Sequence, residues 1–219
     1  MNNSISEKDL FRRIIIEEIG SSKPFLCKFG LQLIEQIPSY FWTEAASSTG
    51  KYHPEFSNGK GGLARHSLMT YRWLDELLRD NPNDFSECRP SLVLAALFHD
   101  CCKRGENDDG KGEHTAFEHP TFAAKFVMDK SSKFLDENRD FLENTSEDEE
   151  SFKEDVAMTV SCILTHMGKW TRSKHSEHIR QAPRTPQEYI VHLADYCASR
   201  KYTLFDNEFF ERFRMADEA

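Results

Sequence analysis

Apolar residues recur at helical spacing along most of the chain. Leu10, Ile14, Ile15 and Ile19 fall on one helical face, with Ser6 placed to cap the start and Gly20 to stop the end. A second helix is expected from Pro24 to Ile37, ending before Pro38. The stretch from Thr43 to Gly62 is rich in Ser, Gly and Lys and reads as loop with at most a short turn. Leu63 to Arg79 forms the next helix, with Leu63, Leu74, Leu77 and Leu78 on its apolar face and Asn81-Pro82 as its stop. Pro90 to Cys102 follows, and its unbroken apolar run from Leu92 to Phe98 predicts a helix buried nearly all round. Gly105 to Gly112 is a charged loop, and Pro120 to Met128 a helix.

The remaining pattern is mixed. Residues 131 to 155 are acidic and hold the run Glu147-Asp148-Glu149-Glu150, which predicts a solvated helical insert or a mobile loop. Val156 to Met167 returns to helical spacing, with Gly168 as its stop. Thr185-Pro186-Gln187-Glu188 makes a capping box ahead of Ile190, Val191, Leu193 and Ala194. Phe205, Phe209, Phe210 and Phe213 mark a last helix. No segment alternates with period two, and no repeat is present, so the expected class is all-α.

Length and charge narrow the classes. The 219 residues fit one domain, expected to span 1–219 with N-terminal helices in about 1–39 and an acidic insert at about 131–155. No apolar run approaches the roughly 18 residues that cross a bilayer, and acidic residues precede any apolar stretch at the N-terminus, so a cytoplasmic protein without membrane contact is expected. The net charge of -9 argues against a broad nucleic-acid surface, yet permits a small anionic substrate at a site where metal ions reverse the local field. Cys27, Cys88, Cys101, Cys102, Cys162 and Cys197 form no C-x-x-C pair and read as free thiols.

Candidate chemistry begins at His99-Asp100. A carboxylate at the end of so apolar a helix is costly unless it is paired or bound to metal. His-Asp pairs also end surface helices, and one inward histidine often serves packing alone. Here, however, His66 lies on the inner side of its helix, His166 near the end of another, His119 before Pro120, and Asp195 within the capped helix. So many imidazoles and carboxylates at helix ends and inner faces are poorly explained by packing.

The ordered series His66, His99-Asp100, His119, His166, Asp195 resembles the H…HD…H…H…D signature of the HD-domain metal-dependent phosphohydrolases. Its flanks are similar too: Gly61-Gly62-Leu63 through His66 and Leu68, then His99-Asp100-Cys101-Cys102-Lys103, then Thr165-His166-Met167-Gly168, then Thr185 through Asp195. With Phe41-Trp42-Thr43-Glu44-Ala45-Ala46 and Tyr52-His53, the likeness covers roughly residues 40 to 202 and is nearest to the HD domain of bacterial 3'-5' exoribonucleases.

That resemblance implies a helical bundle of about seven to nine helices. It implies metal ligation by His66, His99, Asp100, His119, His166 and Asp195. The first four-ligand set would be His66, His99, Asp100 and Asp195, with Asp100 bridging to His119 and His166. Two divalent transition ions (Mn, Fe, Co, Ni or Zn) suit such mixed donors. Metal-bound hydroxide would cleave a phosphomonoester or phosphodiester of a nucleotide or short nucleic acid. Asp100 and Lys103 would be catalytic, and Lys103, Arg104, His53 and Lys169 would contact substrate, with Arg172 a further candidate. His192 would support Asp195 from behind. His114 competes with His119 as a ligand, and His175-x-x-His178 is a weak zinc candidate. No separate nucleic-acid module is expected before the HD region, which favours a small nucleotide. A non-catalytic nucleotide-binding domain (sensor or scaffold) is the alternative class, a di-iron oxygenase a third. Homo-oligomerisation is left open.

Overall fold

The computed structural model describes residues 5–47, 50, 53–79, 82–105, 116–172 and 182–214. Ser6 begins α1 (Glu7–Ile19) as expected, its hydroxyl accepting from the Asp9 amide. This satisfies one of the four amides that every helix start leaves unpaired. Helix α2 (Pro24–Gln36) has no such cap of its own. Two 3-10 turns, Ser39–Trp42 and Glu55–Ser57, carry the chain to α3 (Gly62–Arg79). The short α4 (Pro82–Phe85) leads into α5 (Arg89–Phe98). Then come α6 (His119–Glu137), the short α7 (Arg139–Leu142), α8 (Glu149–Thr165), a 3-10 turn over Gly168–Arg172, α9 (Pro186–Ala198) and α10 (Asn207–Arg214). Among the described residues there is no strand, and eight helices are eight residues or longer. No described helix is long and apolar enough to cross a membrane.

Helix α5 is the axis of the molecule. Every residue from Leu92 to Phe98 is fully buried, and α3, α8, α9 and α1 pack around it. Helix α3 also lies along α9, and α6 along α8. Burying an apolar side chain of this size stabilises the fold by about 1.5–3 kcal/mol, so the α5 run alone anchors four neighbours. The helix is shorter than the apolar pattern predicts. It ends at Phe98, and tight turns carry His99 through Gly105, with the amides of Cys101, Lys103 and Gly105 each bonding to the carbonyl three residues back. Gly105 closes this path at φ +96°, a conformation glycine adopts without a side-chain clash. Cys101 and Cys102 are buried in these turns, and all six cysteines are free thiols.

Residues 131–155 depart furthest from expectation. Phe134, Leu135, Leu142 and Phe152 are core residues, and Phe25 sits 4.9 Å from both Phe134 and Phe152, ring to ring. The acidic residues have specific tasks. Glu147 accepts from the amides of Phe25 (2.5 Å) and Leu26 (3.1 Å), supplying α2 with the cap that its local sequence lacks. Burial pushes its carboxyl pKa up, against the pull of those two amides. Asp155 accepts from Lys23 (2.8 Å) and Ser91 (2.9 Å), joining α8 to both α2 and α5.

The glycines before α3 have a steric role. Gly61 holds φ +73°, and a Cβ on Gly62 would lie 2.2 Å from the Ser57 carbonyl oxygen. The α3 terminus therefore seats directly on the preceding turn, where the Leu63 amide donates to the Glu44 carbonyl (2.9 Å). That seating fixes the rotation of α3 one turn before His66.

Candidate metal centre

Five stretches of chain converge below this seat. Helix α3 brings His66, the end of α5 brings His99 and Asp100, the first residue of α6 is His119, His166 caps α8, and α9 brings Asp195. His66 Nε2 lies 3.0 Å from Asp195 Oδ1 and 3.3 Å from His99 Nε2. His99 Nε2 lies 3.7 Å from Asp195 Oδ1 and 3.5 Å from Asp100 Oδ2. On the other side, Asp100 Oδ1 lies 3.1 Å from His119 Nε2 and 3.7 Å from His166 Nε2, and those two nitrogens are 3.3 Å apart. His66, His99, Asp100, His119 and His166 are all nearly inaccessible.

Three of the imidazoles are held from behind. Nδ1 of His99 faces the Ala96 carbonyl (2.9 Å), that of His119 the Ala116 carbonyl (2.7 Å), and that of His166 the Ile163 carbonyl (2.7 Å). A carbonyl only accepts, so each Nδ1 carries the proton, and in the neutral ring each Nε2 presents a lone pair inward. Burial drives the His166 pKa down to about 3 and lowers that of His99, so both rings are neutral near pH 7. Burial also works against the charge on both aspartates, but neighbours overturn it. Lys103 and His99 bring Asp100 well below the usual carboxylate range, and the His66 hydrogen bond with His99 does the same for Asp195.

Lone pairs therefore face lone pairs. Asp100 Oδ1 is buried, has no hydrogen-bond partner, and looks at two imidazole nitrogens whose protons are on their far sides. His66 Nδ1 is likewise buried and unpartnered. Such an arrangement is repulsive unless a cation lies within it. Ligands about 2.1 Å from one ion stand about 3–4 Å apart, and the pair distances above fall in that range. Two donor groups among the described residues bring their ligand atoms within 4.8 Å of one another: His66 with His99 and Asp195, and His99 with Asp100 and His166. His99 is shared between them, whereas the resemblance shares Asp100 alone. The residues fit divalent transition metal, which mixed imidazole and carboxylate donors favour.

A cavity of about 260 Å³ opens over this cluster. His53 and Lys103 line it. Lys103 Nζ reaches Asp100 Oδ2 at 2.5 Å. His53 Nδ1 is buried without a partner, and burial lowers its pKa to about 4. Two expected substrate contacts lie elsewhere. Arg104 is engaged with Glu44 (3.0 Å), and its amide donates to the Tyr40 hydroxyl. Lys169 lies over the Trp170 ring, 4.6 Å from its centre, and does not line the cavity. Tyr52, His114, His175, His178 and the Arg172 side chain fall outside the described residues.

His192 touches the cluster indirectly. Its Nδ1 faces the His166 carbonyl at 2.6 Å, and its ring occupies the space beside Gly168, where an added Cβ would lie 2.2 Å away. Gly168 also holds φ +58°. Gly168→Ala is therefore expected to destabilise the fold by about 2 kcal/mol or more and to turn His166 by displacing His192. Thermal unfolding with metal titration checks this; a variant with wild-type melting and metal affinity would refute the role.

Sequence reading missed part of the cavity wall: Met167, Trp170, Tyr196, Ser199 and Arg200. The signal was available on α9, because His192, Asp195, Tyr196 and Ser199 recur at i, i+3, i+4 and i+7. With Asp195 assigned to the site, the same helical face nominates the other three.

A helical frame that brings these imidazoles and carboxylates together defines an all-α protein with a buried cluster that could hold metal. The particular family follows from sequence: the profile of the HD domain matches residues 63–200, and the chain belongs to the HD domain family, whose members are generally metal-dependent phosphohydrolases. That match concerns the family as a whole and carries nothing specific to exoribonucleases. No curated protein and no solved structure matches the chain.

Proposed function

We propose that this protein hydrolyses a phosphoester of a nucleotide or short nucleic-acid end, with two divalent metal ions held by His66, His99, Asp100, His119, His166 and Asp195. The observation that carries this reading is the Asp100 carboxylate, whose two oxygens face two different sets of imidazoles. Bound ions of this kind supply a hydroxide nucleophile near neutral pH and stabilise charge on phosphoryl oxygens. The protein's own residues do the rest. Asp100 ties the two halves of the centre together. Lys103 fixes Asp100 Oδ2 and places an ammonium at the cavity floor, where it can offset phosphate charge. His53 lines the cavity, where its ring can contact the substrate. Burial of the ligand side chains limits competing water around them.

The test is metal analysis of protein purified without a histidine tag, followed by a panel of nucleoside mono- and triphosphates, cyclic nucleotides and short oligonucleotides with Mn and product identification. About two equivalents of metal and turnover of at least one phosphoester are expected. Less than about half an equivalent, unrestored by Mn or Fe, would count decisively against the centre. Tight nucleotide binding with no turnover on any substrate would instead support a sensor or scaffold.

A further inference from the structure

One cation at the cavity has no carboxylate. Arg72, Arg89, Arg104 and Arg212 each reach an acidic side chain, as expected in a chain of net charge -9. Arg200 lines the cavity and pairs with no acid among the described residues. It is nevertheless held in place. Its Nε donates to the Tyr196 carbonyl (3.1 Å), its Nη2 donates to the Ser199 hydroxyl (3.0 Å), and its guanidinium carbon lies over the Tyr196 ring, 4.0 Å from the ring centre. Ordering a long side chain costs rotamer entropy. Here that cost is met inside the protein, which leaves a guanidinium oriented before any ligand arrives.

Its position is distinct from the ligand cluster. Among the described residues Arg200 makes no ion pair with Asp100 or Asp195, and it lies just past the end of α9, beyond the Ser199 cap. The scissile phosphoryl group belongs where the imidazoles and carboxylates converge, beside Lys103. A planar, permanently charged fork at a second place in the same cavity suits a second phosphate. Trp170, 45% exposed, adds an aromatic wall to that cavity with Lys169 over one face of its ring, and the other indole face can stack on a base.

We infer that Arg200 is a specificity-determining residue that binds a second phosphoryl group of the substrate, while the base stacks on Trp170. This rests on the phosphohydrolase reading above and narrows it to nucleotides with two or more phosphoryl groups. That chemistry has two sources: a nucleoside polyphosphate, or a 5'-phosphorylated dinucleotide.

The experiment compares Arg200→Ala and Arg200→Lys in the full, Mn-loaded chain, using a nucleoside monophosphate, the matching diphosphate and a 5'-phosphorylated dinucleotide. Arg200→Ala is expected to raise KM for a two-phosphate substrate at least about tenfold more than for the monophosphate, with kcat falling much less. Arg200→Lys should recover part of the loss, since it keeps the charge without the fork. Whichever two-phosphate substrate loses affinity identifies the source. Equal losses on all three substrates, or none, would overturn the inference. Tryptophan fluorescence gives a readout that needs no turnover. Quenching by the diphosphate should weaken in Arg200→Ala and vanish in Trp170→Phe. If no phosphoester is hydrolysed but this Arg200-dependent quenching persists, the hydrolase reading fails and the role of Arg200 stands. If neither two-phosphate ligand quenches, the inference falls.

Discussion

Asp100→Asn is expected to lower phosphoester hydrolysis by about 10³-fold or more and to reduce bound metal by at least half. The substitution keeps the shape of the side chain and removes its charge. Oδ2 stands 3.5 Å from His99 Nε2 and 3.7 Å from His66 Nε2, while Oδ1 stands 3.1 Å from His119 Nε2. No other side chain of the cluster faces His66 and His119 together. An amide would donate from one of these positions and accept at the other, without the negative charge needed to offset two cations. Steady-state rates with Mn, alongside metal analysis and far-UV circular dichroism, check the outcome. A folded variant with wild-type metal content and a rate within about tenfold of wild type would remove Asp100 from the centre.

Acid is expected to destabilise the metal-free protein well before ordinary carboxylates titrate. His166 has its pKa lowered from 6.5 to about 3 by burial, and His99 is lowered for the same reason. In the unfolded chain both rings take up protons near pH 6.5. Between there and the folded value the unfolded state binds more protons, so stability falls as pH falls. The stability is fully present above about pH 6.5 and is lost progressively toward pH 3, by several kcal/mol in order of magnitude. Asp100 and Asp195 act in the same direction, since their lowered pKa values remove stability as pH drops below about 4. Urea unfolding of chelator-treated protein at pH 7.5, 6 and 5 measures the slope. A midpoint that stays flat across that range would show that these rings are not buried and neutral. Bound metal should shift the onset of loss to lower pH, because protons and ions then compete for the same lone pairs.

Local signals were readable where a few adjacent residues decide the outcome. Ser6 caps α1, and Thr185 with Glu188 forms the box that opens α9, as their spacing predicts. The apolar run of α5 correctly predicts a helix buried on all sides, but not its end. The turns after Phe98 are stabilised by local backbone bonds and by Gly105, which hydrophobic period does not report. Residues 131–155 misled for another reason. An acidic run reads as solvated because its partners are remote: Glu147 caps a helix start more than a hundred residues earlier in the chain. Arg104 shows the same limit: the resemblance implies substrate contact, whereas its guanidinium is engaged by Glu44 and does not line the cavity. For the candidate site, helical spacing on α9 held information that the motif did not. His192, Tyr196 and Ser199 share the face of Asp195, yet none of the three belongs to the H…HD…H…H…D series.

The N-terminal helices also bear on the centre. Phe98 is the residue before His99, and the Phe11 ring of α1 packs against it at 6.4 Å while touching Phe41 and Trp42 at 5.7 and 5.2 Å. All three partners of that aromatic knot are clamped together, but only Phe98 lies inside the segment 63–200. Excising that segment would bare one flank of α5 to water at the point where it delivers His99 and Asp100. The smallest fragment able to keep its imidazoles aligned is thus larger than the stretch by which its kinship is known.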